Sequence, residues 1–413
     1  MGAFSRARKL PFVYLIVLLL RTFTSSLQRE LDSFYKEVTD RDFNIRQVTK
    51  GAFTQARAKL NHEAFIELNS VVVNTFYNEA PYLRWKGFRL LAIDGTRMLL
   101  PKHPSVIEEF GTHSFGPKAD SKQSLAIGSF LYDPLNLITV DAQIAPYSCS
   151  ETELLYKHLD IVKSGDLLLM DRGYPSIALM FLLIAKGIHF CIRMKLDWWL
   201  EVKKFVHSGE KEKIVTFHLP KKDNDLLIGY PDIKGKSIQC RLILVELENG
   251  EKEVLCTSLI DTIVYPHEIF KELYGFRWGV EEAYKLYKTR IEVENFSGKT
   301  ALAVKQDFYA KVFMMSLCAA LAFPIEKKVK KETMIEKESK KTKRKHECKI
   351  NRTNALSMLR NIAIGLFLKN QLKKGIKAFD DIVSKTVEII RPNRKFPRNK
   401  ILKKPYSMNY KRL

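Results

Sequence analysis

Tyr274, Arg277, Glu281 and Lys288 stand three, seven and fourteen residues along from the first, in the stretch YGFRWGVEEAYKLYK. At about 100° per residue these offsets put all four within roughly 60° of one helical face. Lys285 joins that face one turn after Glu281, whereas Glu282 is turned about 100° from it. A carboxylate flanked by Arg, Lys and Tyr suits a polyanion and a metal better than it suits a hydrophobic core.

Two further carboxylates belong with this pattern. Asp94 follows the apolar run Leu90–Ile93, and Asp171 follows Leu167–Met170. Each reads as the residue ending an interior strand, where an isolated carboxylate is costly unless paired or bound to a cation. Either alone is the first residue of an ordinary turn, Asp-Gly or Asp-Arg-Gly. Brought together on neighbouring strands with a Glu from a packed helix, they make an oxygen-rich site for Mg²⁺ or Mn²⁺. Two such ions support phosphoryl transfer. Since 77 residues separate the aspartates and 110 more precede Glu281, only a fold can unite them.

The elements that must position these groups follow from periodicity. FRLLAIDG, SLAIGSFLYD and NLITVDAQIA read as three successive strands, and Ser150–Ile161 as a helix with an acidic start at Glu151 and Glu153. GDLLLMDRGYP is a buried strand ending at Asp171, Ser176–Ala185 a helix and HFCIRMK the next strand. That order predicts an α/β fold with a ribonuclease-H-like (retroviral-integrase-type) catalytic core. Its first part is expected over 85–196 and its core helices, carrying Glu281, over 261–325. Between them, residues 197–260 (KIVTFHL, DLLIGY, SIQCRLILVEL, EKEVLCTSL) predict a β-rich insertion. Trp198 and Trp199 there could stack on a displaced base, packing being the plainer reading. Pro266–Lys288 reads as continuous helix and Gln306–Phe323 as a buried one.

The flanks read as helical. Residues 1–80 are expected to form an N-terminal DNA-binding domain, with Val48–Arg57 as the short basic helix of a helix-turn-helix offering Lys50, Gln55, Arg57 and Lys59 to DNA. Arg6, Arg8 and Lys9 before the run Leu10–Leu20 imitate a signal peptide. Eleven apolar residues are too few to span a bilayer, and no A-x-A cleavage pattern follows, so 10–36 is read as buried helix. Residues 326–349 are expected to be a basic linker, and 350–413 C-terminal helices with a basic tail.

A formal net charge of +23 on 413 residues is extreme for a metabolic enzyme and points to nucleic acid. Residues 327–349 hold eleven Lys/Arg against four Glu, and 391–413 hold nine and no acid. Apolar content of 46% nevertheless demands a sizeable core. The six cysteines are scattered without zinc spacing, as expected for reduced thiols.

Taken together, the motifs resemble those of the DDE transposases of bacterial insertion sequences, in the branch marked by Y-x₂-R-x₃-E-x₆-K. Tyr274, Arg277, Glu281 and Lys288 meet that signature in full, and LLAIDGT and LLMDRGYPS match the blocks holding the first two acidic residues. RKLPF, GAFTQARAKL, INRTNALSMLRN and RPNRKFPR are similar to further blocks, so the likeness covers nearly the whole chain. The resemblance implies that Asp94, Asp171 and Glu281 are catalytic and bind two Mg²⁺ or Mn²⁺ ions, with Tyr274, Arg277 and Lys288 on phosphates of the transposon ends. Lys285 is added from geometry alone. It further implies binding to terminal inverted repeats, strand cleavage, transfer of the 3′-OH to target DNA, and a homodimer in a synaptic complex. A bacterial cytoplasmic, nucleoid-associated location follows, with no membrane partner. The alternative is a catalytically inactive or domesticated sequence-specific DNA-binding protein.

Overall fold

The computed structural model describes residues 9–23, 25–114, 122–220, 229–230, 236–247, 250–338 and 346–391. Helices α1 (Phe12–Leu20), α2 (Leu27–Val38), α3 (Lys50–Arg57) and α4 (Glu63–Glu79) come first. Strand β1 (Arg89–Leu99) is followed by α5 (Pro104–Phe110) and the short pair β2 (His113–Ser114) and β3 (Lys122–Gln123). Next come β4 (Leu125–Asp133), β5 (Ile138–Pro146), α6 (Glu151–His158), β6 (Asp166–Met170), α7 (Ile177–Ala185) and β7 (His189–Met194). Helix α8 (Leu200–Ser208) then precedes β8 (Glu212–His218), β9 (Ser237–Glu246) and β10 (Lys252–Thr257). The chain continues through α9 (Ile269–Gly275), α10 (Trp278–Thr289), α11 (Ala301–Glu338), β11 (Cys348–Ile350), α12 (Arg352–Phe367), α13 (Leu372–Lys385) and β12 (Val387–Ile389).

These elements form two compact units, one of residues 79–98 and 125–285, the other of 1–78, 99–124 and 286–413. The first is organised on a sheet of order β5-β4-β1-β6-β7-β10-β9-β8. β1, β6 and β7 run parallel at its centre, and β4 and β5 pair antiparallel. Leu90–Ile93 and Leu167–Met170 are buried, which is why both strands read as unbroken apolar runs rather than alternating ones. In order of appearance, the first five of these strands lie 3-2-1-4-5, and the core is ribonuclease-H-like.

Three features of this unit add to or differ from the sequence expectation. β10, β9 and β8 add antiparallel strands beyond β7, so the β-rich stretch continues the central sheet. α8 precedes them, its buried Val202 and Phe205 three residues apart on one face. DLLIGY falls largely outside the described residues. The expected continuous helix after Pro266 is two helices, broken at Phe276–Arg277.

In the second unit α11 is the central element. Phe76 of α4 meets its Phe323 edge to face, ring centroids 5.1 Å apart. Leu15–Leu20 of α1 are all buried, in keeping with a core helix. α11 is long and apolar enough to cross a membrane by length and composition, yet 72% of its most apolar window is buried within the protein. It also runs through Glu338, so 327–338 is helix and not linker. Buried Ala322, Ile325, Glu326, Val329 and Thr333 carry the three-to-four-residue period on into the lysine-rich sequence. Residues 339–345 and 392–413, with most of RPNRKFPR, lie outside the described residues.

Arg57 is corrected as a DNA contact. Its guanidinium is buried and donates to Gln306 Oε1 (2.5 Å), Ser297 Oγ (2.6 Å), the Ala303 carbonyl (2.8 Å) and Asp307 Oδ1 (2.6 Å). Every nitrogen is used, so burial is tolerated. Lys50, Gln55 and Lys59 are exposed. Trp199 packs edge-on against Phe217 (5.4 Å), while Trp198 is exposed beneath Lys195.

Candidate active site

The register of β1 on β6 decides the geometry of the aspartates. Arg89 stands opposite Asp166 and Ala92 opposite Leu169, so two residues further on Asp94 and Asp171 come side by side. Local turns hold both carboxylates: Gly95 N–H donates to Asp94 Oδ1 (2.9 Å) and Gly173 N–H to Asp171 Oδ1 (2.7 Å).

Glu151 is the neighbour that the sequence did not point to. It is the first residue of α6, whose N-terminus is capped by Ser150 and Glu153 in a reciprocal box. Its carboxylate lies against the glycines of both aspartate turns. A Cβ on Gly95 would come within 2.9 Å of the Glu151 carboxyl carbon, and one on Gly173 within 3.5 Å of its Oε2 and 3.0 Å of Asp171 Oδ1. Sequence reasoning missed it because an acidic residue in the first turn of a helix already has a sufficient explanation in the helix dipole.

Arg277 occupies the break between α9 and α10. There Arg277 N–H bonds Tyr274 O (3.0 Å), Gly279 N–H bonds Phe276 O (2.9 Å) and Val280 N–H bonds Arg277 O (3.3 Å), a tightened i→i+3 turn that replaces the single continuous wheel. The Arg277 side chain is buried. It donates to Glu281 Oε1 at 2.7 Å and reaches within 3.9 Å of Asp94 Oδ2. The Trp278 ring covers its guanidinium at 4.5 Å from the centroid. Tyr284, one turn after Glu281, donates its hydroxyl to the Asp94 carbonyl and meets Phe130 edge to face at 5.2 Å. It is a further positioning residue that the signature did not contain.

The structure thus brings Asp94 and Asp171 together with Glu151, and joins Glu281 to Asp94 through Arg277. Tyr274 and Arg277 were expected to touch phosphates, but both are only 4% exposed and face inward. Lys285 is exposed and pairs with Glu282 instead of facing Glu281. Lys288 is exposed in the last turn of α10.

Electrostatic strain collects here. Burial pushes the Asp94 carboxyl up to about 7; Arg277 works against this, and Asp171 and Glu151 add to it. Burial and then Asp171 raise Glu151. Tyr174 is held well above the usual phenol range by burial and then by Glu151, Asp94 and Asp171. Burial opposes the Arg277 cation, but its bond to Glu281 and the charges of Glu281 and Asp94 outweigh that. Three buried polar atoms here lack a hydrogen-bond partner: Tyr174 OH, Tyr274 OH and Arg277 Nε. Among the described residues no three acidic, His or Cys side chains converge as a ready cage for a metal. The donor chemistry nonetheless suits a hard divalent cation, because carboxylate oxygens gather against the two glycines and a buried hydroxyl nearby has no partner.

A buried Ser129–His158–Asp141 chain in the same unit has the composition of a nucleophilic triad. His158 Nδ1 lies 2.6 Å from Asp141 Oδ2 and Nε2 3.0 Å from Ser129 Oγ. Ser129 and His158 are fully buried, so no substrate can reach this hydroxyl. It is a structural network.

The family model described as "Transposase DDE domain" matches residues 85–318, more than half of the chain. "Transposase InsG for insertion sequence element IS4" of Escherichia coli (strain K12) is 26% identical over 250 residues, 59% of this chain and 54% of that protein. "Transposase for insertion sequence element IS231E" of Bacillus thuringiensis subsp. finitimus is 21% identical over 280 residues, 57% of this chain and 56% of that one. The chain therefore spans about half the length of the curated relatives it matches. Among solved structures, the cryo-EM structure of a piggyBac transposase synaptic complex with hairpin DNA is loosely similar. Its TM-score is 0.44 at 12% identity, over 94% of this chain and 77% of that one.

Proposed function

The chain belongs to the transposase DDE domain family, as the transposases of bacterial insertion sequences do, and from that premise we propose that it moves its own insertion sequence. It binds the terminal inverted repeats, cleaves the strands there and joins the freed 3′-OH to target DNA. The observation that carries this reading is the pair Asp94 and Asp171 at matching positions of adjacent parallel strands, with the Arg277–Glu281 pair set against Asp94.

In this reading Asp94, Asp171 and Glu281 hold the divalent cations. The chemistry that two bound Mg²⁺ or Mn²⁺ ions supply in such a site is activation of a water or 3′-hydroxyl and stabilisation of the leaving oxygen. Arg277 offsets the charge of Asp94 and steers Glu281, so it positions the third carboxylate from inside. Tyr284 fixes α10 to the Asp94 backbone. Tyr274 and Arg277 face inward, where Arg277 acts on the carboxylates, while the exposed Lys285 and Lys288 meet the phosphates as point charges. The N-terminal helices, with exposed Lys50, Gln55 and Lys59, grip the repeat, and two copies pair two ends. The protein acts at the nucleoid in the cytoplasm and needs no membrane.

DNA carrying the repeats that flank the reading frame tests this directly. In Mn²⁺ the parent nicks it, and Asp94→Asn, Asp171→Asn and Glu281→Gln each lose cleavage while still shifting the DNA in a gel. Three variants that cut as well as the parent would remove the assigned site.

A further inference from the structure

We infer that Glu151 is a further acidic member of this centre, binding a divalent cation together with Asp94 and Asp171. The inference rests on reading that centre as the metal site, and it assigns a role to a residue outside the Asp94–Asp171–Glu281 set.

Position is the first ground. The Glu151 carboxylate lies between the two glycine turns that carry the aspartates, where a side chain on Gly95 would collide with it and one on Gly173 would crowd it. Gly95 and Gly173 both have ordinary backbone angles, neither being among the glycines of positive φ, so no turn requires glycine there. The space they leave is taken by this carboxylate.

Its lack of any bonded partner is the second. Capping of α6 is done by the Ser150 hydroxyl and the Glu153 carboxylate, not by Glu151. Among the described residues Glu151 has no hydrogen-bond donor and no cation as partner. A partly buried carboxylate beside Asp171 is held at a cost unless something positive joins it.

The third ground is a buried hydroxyl beside the carboxylates. Tyr174 is 1% exposed, three residues after Asp171, and its hydroxyl has no partner. Its electrostatic neighbours are Glu151, Asp94, Asp171 and Arg277. A buried hydroxyl near three carboxylates and bonded to none of them suits a water of a hydrated cation, since Mg²⁺ keeps several of its waters when bound by few carboxylates. Glu281 lies on the far side of Arg277, which joins it to Asp94.

Titration of the full-length protein with Mn²⁺ alone, followed calorimetrically, tests the inference without relying on activity. The parent binds Mn²⁺, and Glu151→Gln weakens binding by about tenfold or more, as Asp94→Asn and Asp171→Asn do. Ser150→Ala, which removes the cap of the same helix, leaves binding unchanged, and a loss there would assign the effect to fraying of α6 and overturn the inference. Should Glu151→Gln fail to fold by circular dichroism, Glu151→Asp draws the carboxylate back by one methylene and must also weaken binding. If the Glu151 variants bind like the parent while the two aspartate variants are impaired, Glu151 is no ligand and the site reading stands. If the parent binds no Mn²⁺, or none of the carboxylate variants changes binding, the site reading fails and the inference with it.

Discussion

The strand pair β1 and β6 has two polar ends built on opposite principles. At one end Arg89 and Asp166, register partners, form a two-pronged ion pair, Nε donating to Oδ1 at 2.9 Å and Nη2 to Oδ2. Lys163 N–H adds a further bond to Asp166 at 2.7 Å. Five residues along each strand, Asp94 and Asp171 set like charges side by side, with Glu151 against them and the hydroxyl of Tyr174 unbonded. The first end is closed and neutral, and holds the register. The second is left unsatisfied inside the fold, as binding sites are when they are arranged for a ligand more than for stability.

The comparison breaks most visibly at the closed end. Arg89→Ala strands the buried Asp166 carboxylate and should cost about 3–5 kcal/mol, read as a fall in denaturation midpoint, whereas a loss below about 1 kcal/mol would mean that water already reaches this pair. At the open end the sign reverses. Asp94→Asn should stabilise the metal-free protein at pH 8 by on the order of 2–4 kcal/mol, because Asp94 holds its proton up to about 7 instead of 3.8.

The pH profile sharpens the same contrast. Between the unfolded value and about 7 the folded protein binds a proton at Asp94 that the unfolded chain has released, so stability conferred by protonated Asp94 is full at low pH and lost as pH rises. Urea midpoints of parent and Asp94→Asn should diverge as pH rises from about 4 towards 7 and run parallel above that, and parallel curves throughout would contradict the buried position of Asp94. Arg277→Gln should change stability by only about 1 kcal/mol, since one nitrogen of that guanidinium is already unbonded. It should also raise the proton affinity of Asp94, visible in the carboxyl resonances as a midpoint above that of the parent. Lys285→Ala, removing an exposed pair with Glu282, should leave stability within about 0.5 kcal/mol while weakening DNA binding and reducing its salt dependence together.

How legible each region was in sequence follows the same divide. β1, β6 and α7 announce themselves because buried parallel strands and their crossover helix are continuous apolar runs. Asp94 and Asp171 were visible as the polar residues that end such runs. Glu281 and its signature were visible as a helical spacing, but the i→i+3 turn at Phe276–Arg277 was not, since nothing in FRW forbids a continuous helix. Arg57 looked like a DNA-reading side chain because its partners Ser297, Gln306 and Asp307 lie 240, 249 and 250 residues away. Lysine density hid the last turns of α11, where charge on three sides leaves a narrow stripe of Ile325, Val329 and Thr333 to carry the helix. Glu151 was written plainly in the sequence as a helix start, and its proximity to two distant aspartates is a property of the fold alone.

The contrast between the two ends is tested most directly by one set of melting curves, parent against Asp94→Asn, with and without Mn²⁺ at pH 8. A buried, frustrated carboxylate centre predicts that the metal-free variant melts above the parent and that Mn²⁺ raises the parent while leaving the variant nearly unmoved. A variant that melts below the parent and responds to Mn²⁺ as the parent does would contradict the account.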